Sequence, residues 1–135
     1  MRYLGLDLGT KTLGLAISDK TNTIATPFKT LHYESYEELV VELKKIVEEK
    51  EIGEFVLGYP KNMNNTLGPA VERTETFKNV LESNFNLPIV LIDERLSTVE
   101  AENILIQMDT SREKRKKIID SYAAAIILDT FLKRK

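Results

Sequence analysis

The 135-residue sequence contains no cysteine and only one histidine, His32. The absence of cysteine excludes disulfide bonds, thiolate catalysis and cysteine-ligated zinc sites. A serine hydrolase triad would have to use His32, and no Gly-x-Ser-x-Gly motif is present to supply its nucleophile. We therefore assign His32 no role, and any enzymatic chemistry must depend on carboxylates and lysines.

The sequence also lacks a long apolar run, so it predicts no transmembrane helix. Its first seven residues do not follow the charged-then-apolar layout of a signal peptide, and a cytoplasmic location is expected. Apolar residues make up 42% and charged residues 30% of the chain. These proportions, at this length, predict one globular domain that covers residues 1–135.

The net charge of −2 does not make the whole surface attractive to nucleic acid. Residues 112–117, however, hold five cations in six positions. Any contact with a nucleic acid is therefore expected to be local. The alternative interpretation of residues 112–117 is a solvated connector, or cations that favour the dipole at a helix C-terminus.

The first third of the chain has the pattern of three strands, at about 3–8, 13–18 and 23–31. Short turns at 9–12 and 19–22 join them. Strands joined by such short turns form an antiparallel meander.

The rest of the chain alternates helical and strand patterns. We predict helices at 36–47, 69–81, 97–108 and from about 119, and strands at 55–59 and 88–92. Ser35 with Glu38, and Ser97 with Glu100, form capping boxes, and Pro69 opens its helix. The two later strands need crossover helices, so they extend the sheet in parallel. The prediction is an α/β domain with a mixed five-stranded sheet flanked by helices.

Three carboxylates occupy unusual positions. Asp7 lies within an apolar strand, where burial of a charge is costly unless it is paired or bound to a cation. Glu94 follows the last strand, at the end where open α/β sheets place ligands, although Asp93 could face inward instead. Asp120 falls in the first turn of the last predicted helix, and the small residues Ala123 and Ala124 would let that helix approach the sheet.

Each of these carboxylates also has a purely structural interpretation. Asp7 could cap the hairpin, Glu94 could pair with Arg95 or Arg73, and Asp120 could stabilise the helix dipole. From the residues alone, both interpretations stay open.

Several short motifs together suggest a family. The chain carries Asp-Leu-Gly-Thr-Lys at 7–11, Gly-Leu-Ala-Ile-Ser-Asp at 14–19, Gly-Tyr-Pro at 58–60, Asp-Glu-Arg-Leu-Ser-Thr at 93–98 and Ile-Asp at 119–120. In order and spacing, over essentially the whole chain, these motifs resemble the YqgF/RuvX family. That resemblance implies a ribonuclease H-like fold. Members were first described as Holliday junction resolvases and are now regarded as nucleases that complete 5′ maturation of pre-16S rRNA.

Carried over to this sequence, the resemblance implies a catalytic and metal-binding site made of Asp7, Glu94 and Asp120. Such a site suits Mg²⁺ or Mn²⁺, because hard cations prefer oxygen ligands. Two ions roughly 4 Å apart can activate water and stabilise the leaving oxygen of a phosphodiester.

Substrate-binding residues are expected around the acidic site. Lys11, in the first turn, could hold a phosphate, although a solvated lysine is an equal alternative. Arg95 and the basic residues Lys114, Arg115 and Lys117 complete the expected contacts. Two positions depart from the family pattern. Thr12 stands where many members have arginine, which is expected to weaken a phosphate contact, and Asn64-Asn65 replaces Asp-Gly or Asn-Gly.

The expected partner is RNA, with pre-16S rRNA preferred and a four-way DNA junction as the alternative. A resolvase must act as a symmetric pair, and no clear apolar stripe remains for a dimer, although a homodimer stays possible. Two other classes are open. Residues 7–10 also resemble the phosphate-binding hairpin of actin, sugar kinases and Hsp70-type ATPases, and the fold could serve a non-catalytic RNA-binding module.

Overall fold

The structure, a computed structural model, describes residues 1–60, 68–93 and 112–134, with the backbone alone for 112–117. These residues form five strands and three helices. The strands are β1 (Arg2–Leu8), β2 (Thr12–Ser18), β3 (Ala25–His32), β4 (Ile52–Tyr59) and β5 (Ile89–Asp93). The helices are α1 (Tyr36–Glu49), α2 (Pro69–Asn84) and α3 (Arg112–Arg134).

The strands form one mixed sheet in the order β3-β2-β1-β4-β5. β2 pairs antiparallel with both β1 and β3, and β4 pairs parallel with both β1 and β5. The predicted meander with two added parallel strands is therefore confirmed. The first turn closes where the Gly9 N–H donates to the Thr12 carbonyl at 2.7 Å. In the second turn Asn22 takes a left-handed conformation with φ of 58°, which asparagine tolerates well.

One face of the sheet packs against α1 and α2. Strand alternation sends Leu4, Leu6 and Leu8 of β1 to this face, where they join the larger of the two buried clusters with Leu43 of α1 and Phe77 of α2. The predicted capping box of α1 is confirmed. The Ser35 hydroxyl accepts from the Glu38 N–H at 3.3 Å, and the Glu38 carboxylate accepts from the Ser35 N–H at 3.0 Å.

Helix α3 covers the opposite face of the sheet. Its buried side chains include Ala124, Ile127 and Leu128, and they pack against Val56 of β4 and Ile92 of β5. The sheet is therefore enclosed between two helical layers, and α3 alone supplies the second layer among the described residues. No helix in the described ranges is long and apolar enough to span a bilayer.

Helix α3 begins earlier than the sequence pattern predicts. It starts at Arg112, so the basic residues 112–117 form its first turns rather than a connector, and Asp120 is in its third turn rather than its first. Lysine and arginine are good helix formers, and no glycine or proline interrupts this stretch. Residues 112–117 have no apolar periodicity, so the sequence pattern did not predict that the helix begins at Arg112. The predicted helix at 97–108 and the segment at 61–67 lie outside the described residues.

The Thr30 side chain of β3 gives a test of packing beneath α3. Its hydroxyl is buried and has no hydrogen-bond partner in the described part of the chain. Burial of such a group without a partner costs about 1–3 kcal/mol. Thr30→Val keeps the β-branched shape and removes the hydroxyl, so we expect the free energy of unfolding to rise by about 1 kcal/mol. Denaturant titration measures this change, and a loss of stability of similar size would contradict it.

Candidate active site at the carboxyl edge of the sheet

Asp7 lies on the face of the sheet that α3 covers. Its neighbours Leu6 and Leu8 are buried on the α1 and α2 face, so alternation places Asp7 on the other side with Gly5. Gly5 is in close contact with α3, because a Cβ at this position would lie 2.9 Å from both the Ala124 carbonyl oxygen and Leu128 Cβ. Asp7 itself is half-buried rather than fully enclosed. Its carboxylate is therefore at the margin of the helix-covered face, within reach of solvent.

Gly14 brings Asp7 and Asp120 to the same place. In the antiparallel register of β1 and β2, Gly14 is the direct partner of Asp7, so both lie on one face. The backbone of α3 crosses directly over Gly14. A Cβ built on Gly14 would overlap the carbonyl oxygen of Asp120 and lie 2.9 Å from its Cβ. Only a residue without a side chain fits this contact, which fixes Asp120 beside Asp7.

Thr12 contacts Asp120 directly. Its hydroxyl donates a hydrogen bond of 2.8 Å to Oδ2 of the Asp120 carboxylate, and both side chains are half-buried. Thr12 lies two residues before Gly14 on β2, which places it on the same face of the sheet. From the sequence alone, Thr12 stands only where many family members have a cation, whereas in the structure it is a partner of a candidate catalytic carboxylate.

The first turn carries Lys11, whose side chain is exposed beside this acidic pair. Tyr33 holds the turn in place from the segment that joins β3 to α1. Its hydroxyl donates to the Gly9 carbonyl at 2.6 Å, and its N–H donates to the Lys11 carbonyl at 3.0 Å. Burial raises the pKa of Tyr33 above its ordinary value, so the hydroxyl remains a donor at neutral pH and into the alkaline range. Lys11 therefore projects from a rigid turn.

Asp19, the last residue of the motif at 14–19, lies at the other end of β2 from Thr12. Its carboxylate accepts hydrogen bonds from the Thr21 hydroxyl and from the N–H groups of Thr23 and Ile24. The hydrogen bond from Thr21, together with those from the two backbone groups, lowers the pKa of Asp19 to about 2. Asp19 therefore stabilises the turn between β2 and β3 and is remote from Asp7.

Alternation along β5 bears on the choice between Asp93 and Glu94. Val90 and Ile92 join the apolar cluster beneath α3, whereas Ile89 packs with the cluster on the other face. Asp93 is exposed, and its direct partner in β4 is Tyr59, whose hydroxyl donates to Glu75 of α2. Asp93 therefore belongs to the α2 face, away from Asp7.

The other predicted site residues are not tested by this geometry. Glu94 and Arg95 lie outside the described residues, and of Lys114, Arg115 and Lys117 only the helical backbone is described. Within the described ranges, no three histidine, cysteine or carboxylate groups come together as a metal site. The structure thus brings together two of the three predicted carboxylates, Asp7 and Asp120.

Sequence reasoning missed Gly5, Gly14 and Thr12, although a signal for them was present. All three lie on the same face of the sheet as Asp7. Gly5 is two residues from Asp7 on β1, Gly14 is the direct partner of Asp7 on β2, and Thr12 is two residues from Gly14. Two glycines on neighbouring strands of one face indicate a site where a helix backbone approaches the sheet. The alanines of the last helix were recognised, but the matching glycines of the sheet were not.

Structural comparison defines the class of fold. The structure resembles that of Thermus thermophilus RuvC, with a TM-score of 0.56 and 15% identity over 99% of this chain and 96% of that chain. It also resembles the fowlpox virus resolvase solved with Holliday junction DNA, with a TM-score of 0.59 and 12% identity over 99% and 98% of the two chains. The protein therefore has the ribonuclease H-like resolvase fold, as predicted.

Sequence comparison narrows the class to a family. A family model described as "RuvX: Holliday junction resolvase" matches residues 1–134. A relative from Geobacillus sp. strain WCH70 is 49% identical, over 100% of this chain and 99% of its own length. One from Bacillus subtilis strain 168 is 48% identical, over 98% and 97%. Both relatives bear the name "Putative pre-16S rRNA nuclease". The chain belongs to the RuvX family, and the predicted YqgF/RuvX membership is confirmed.

The contact at Gly14 gives a sharp test of the site. In Gly14→Ala the new methyl group would overlap the Asp120 carbonyl, so α3 must shift away from β2. We expect the free energy of unfolding to fall by about 2 kcal/mol or more, with displacement of Asp120. Denaturant titration and crystallography measure the two effects.

Gly53→Ala is the matched control, because it adds the same methyl group to another strand glycine. Its Cβ would lie 2.8 Å from Cβ of Met1, a terminal residue that is 81% exposed and can move aside. We expect its stability to change by no more than about 0.5 kcal/mol. Equal effects of the two substitutions would show that the Gly14 contact does not constrain α3.

Proposed function

We propose that the protein is a divalent-metal-dependent nuclease that hydrolyses phosphodiester bonds in the 5′ maturation of pre-16S rRNA. The observation that carries this proposal is the convergence of Asp7 and Asp120 at Gly14. It places two carboxylates at the carboxyl edge of the central strand, where α/β sheets bind ligands. The names of the relatives at 48–49% identity supply the substrate.

The donor set fits a hard divalent cation. Asp7 and Asp120 offer only oxygen ligands, and Mg²⁺ in proteins is commonly held by one or two carboxylates with water and phosphate oxygens. We propose Glu94 as the third carboxylate, since the parity of β5 leaves Asp93 on the α2 face. Mg²⁺ or Mn²⁺ ions bound there, two in our proposal, would polarise the phosphate and lower the pKa of the attacking water.

The chain's own cations would place the substrate. Lys11 is exposed on the turn beside Asp7, and Tyr33 holds that turn through the Gly9 and Lys11 carbonyls. A rigid turn would let the Lys11 ammonium orient a phosphate near the carboxylates at low entropic cost. We propose that Arg95 adds a second phosphate contact.

The position of the basic residues in α3 supports a role in binding. Cations at a helix N-terminus are opposed by the helix dipole, whereas Lys133 and Arg134 in the last turn of α3 are favoured by it. The dipole therefore gives no structural reason for the five cations in the first turns. Lys117 precedes Asp120 by three residues, about one helical turn. We propose that Lys114, Arg115 and Lys117 guide the RNA backbone toward Asp120.

RNA is the preferred substrate on two grounds. The resolvases of similar structure share only 12–15% identity with this chain, so they indicate the fold alone. The large apolar side chains exposed in the described residues are Met1, Ile24, Val41 and Leu91. They belong to four different segments and form no stripe for the symmetric pairing that a resolvase needs. An RNA end needs only a local cationic track.

The first test compares substrates. The purified protein is incubated with labelled precursor RNA and with a four-way DNA junction, each with and without Mn²⁺, at matched salt. We expect metal-dependent cleavage of the RNA and none with Asp7→Asn, which removes a ligand while it keeps the side-chain volume. Asp19→Asn is the matched control, because it changes an aspartate of the same motif region remote from the site, and it should cleave normally.

If the protein cuts the four-way junction symmetrically and leaves the precursor RNA uncut, the substrate is junction DNA and the resolvase alternative is correct. Cleavage by Asp7→Asn at the wild-type rate would remove Asp7 from the site. If Asp93→Asn inactivates the enzyme and Glu94→Gln does not, the third carboxylate has been assigned to the wrong residue.

A second test concerns salt dependence. Substitution of Lys114, Arg115 and Lys117 by glutamine should weaken RNA binding and flatten its dependence on salt, because fewer counterions are released. For three lost contacts to single-stranded RNA, the slope of log affinity against log salt should change by about 2. The control replaces Lys44, Lys45 and Lys50, which belong to α1 or its C-terminal end on the other side of the sheet. Equal slopes for the two triple variants would show that the basic turns of α3 do not bind the backbone.

A further inference from the structure

We propose that Thr12 is the positioning residue for Asp120, which it orients for binding of the divalent cation. The inference rests on the proposed function and extends it to a residue outside the predicted acidic set. It starts from the 2.8 Å hydrogen bond that the Thr12 hydroxyl donates to Oδ2 of Asp120. This bond joins the first turn to α3 across 108 residues of sequence.

The Thr12 hydroxyl is held in place before any ligand binds. The carbonyl of the same residue accepts the Gly9 N–H at 2.7 Å, which closes the turn and fixes the Thr12 backbone. A Cβ on Gly9 would lie 3.0 Å from Thr12 Oγ1, so the turn also packs closely against this hydroxyl. A β-branched side chain in a strand has a stiff χ1. The donor therefore has little freedom to turn away from Asp120.

A carboxylate held in this way keeps one oxygen for the cation. Asp120 can rotate about its terminal torsion, which is broad for aspartate. The hydrogen bond to Oδ2 restricts that rotation and leaves Oδ1 as the oxygen available to a metal. Removal of a partner that orients a metal-binding residue typically lowers metal affinity or activity by about 10–100-fold.

Thr30 shows that burial beneath α3 does not by itself give a threonine this role. It is the direct partner of Gly14 in β3, on the same face and only one strand from β2. Its hydroxyl has no hydrogen-bond partner in the described residues, whereas that of Thr12 is bonded to Asp120. Thr30→Val is therefore a matched control for Thr12→Val, since both changes replace a hydroxyl with a methyl group at neighbouring positions.

The experiment measures the Mn²⁺ dependence of wild type, Thr12→Val, Thr12→Ser and Thr30→Val. Mn²⁺ binding to the free proteins is followed by electron paramagnetic resonance, and RNA cleavage is titrated with Mn²⁺. We expect Thr12→Val to raise the Mn²⁺ dissociation constant and the cleavage midpoint by about 10-fold. Saturating Mn²⁺ should recover much of its rate. Thr12→Ser keeps the hydroxyl but not the stiff χ1, so its Mn²⁺ dissociation constant and cleavage midpoint should lie within about threefold of the wild-type values. Both values for Thr30→Val should equal those of wild type.

Thermal unfolding monitors the fold of every variant. If Thr12→Val is strongly destabilised, Thr12→Ala replaces it, because a smaller side chain cannot clash with Asp120. An unchanged Mn²⁺ midpoint in the hydroxyl-free variant overturns the proposal, whether or not its maximal rate falls. Equal shifts in Thr12→Val and Thr30→Val overturn it as well.

Failure of this inference is distinguishable from failure of the proposed function. If wild type cleaves no RNA with any divalent cation, the nuclease assignment fails. If wild type cleaves, Asp120→Asn is inactive and Thr12→Val keeps the wild-type Mn²⁺ dependence, only the role of Thr12 is lost.

Discussion

The close approach of α3 to β1 and β2 is the constraint on which the site depends. Gly5 and Gly14 have no side chains, and the backbone of α3 occupies the space where their Cβ atoms would be. The alanines of α3 complete the contact from the helix side. Packing of small residues gains little apolar area per residue, but it brings a helix backbone nearer to a sheet than larger side chains allow. Asp120 reaches the sheet because of this contact.

The alternation of side chains along β1 also places a polar residue beside an apolar core. Leu6 and Leu8 bury their side chains on one face of β1, and Asp7 between them emerges on the other, at the margin of α3. Solvent access there spares the carboxylate the full cost of burial. Strand alternation therefore lets one short strand contribute both to the hydrophobic core and to the candidate site.

The sequence was sufficient to predict the sheet and its topology. Period-two alternation, short turns and the Ser35–Glu38 box are local signals, and each has a direct physical reading. The start of α3 could not be predicted, because a helix made of charged residues carries no apolar periodicity. The Thr12–Asp120 bond could not be predicted either, since it depends on how a distant helix is placed over the sheet. The catalytic and metal-binding roles of Asp7, Glu94 and Asp120 stay predictions.

The separation of Thr12 and Asp120 along the chain also has a consequence during synthesis. The amino-terminal strands emerge first and can pair before α3 exists, so the Thr12 hydroxyl cannot make its hydrogen bond to α3 until Asp120 has been made. Contacts this distant in sequence are costly in loop entropy and form late in folding. A growing or partly folded chain therefore carries Asp7 and Thr12 before Asp120 can join them at Gly14.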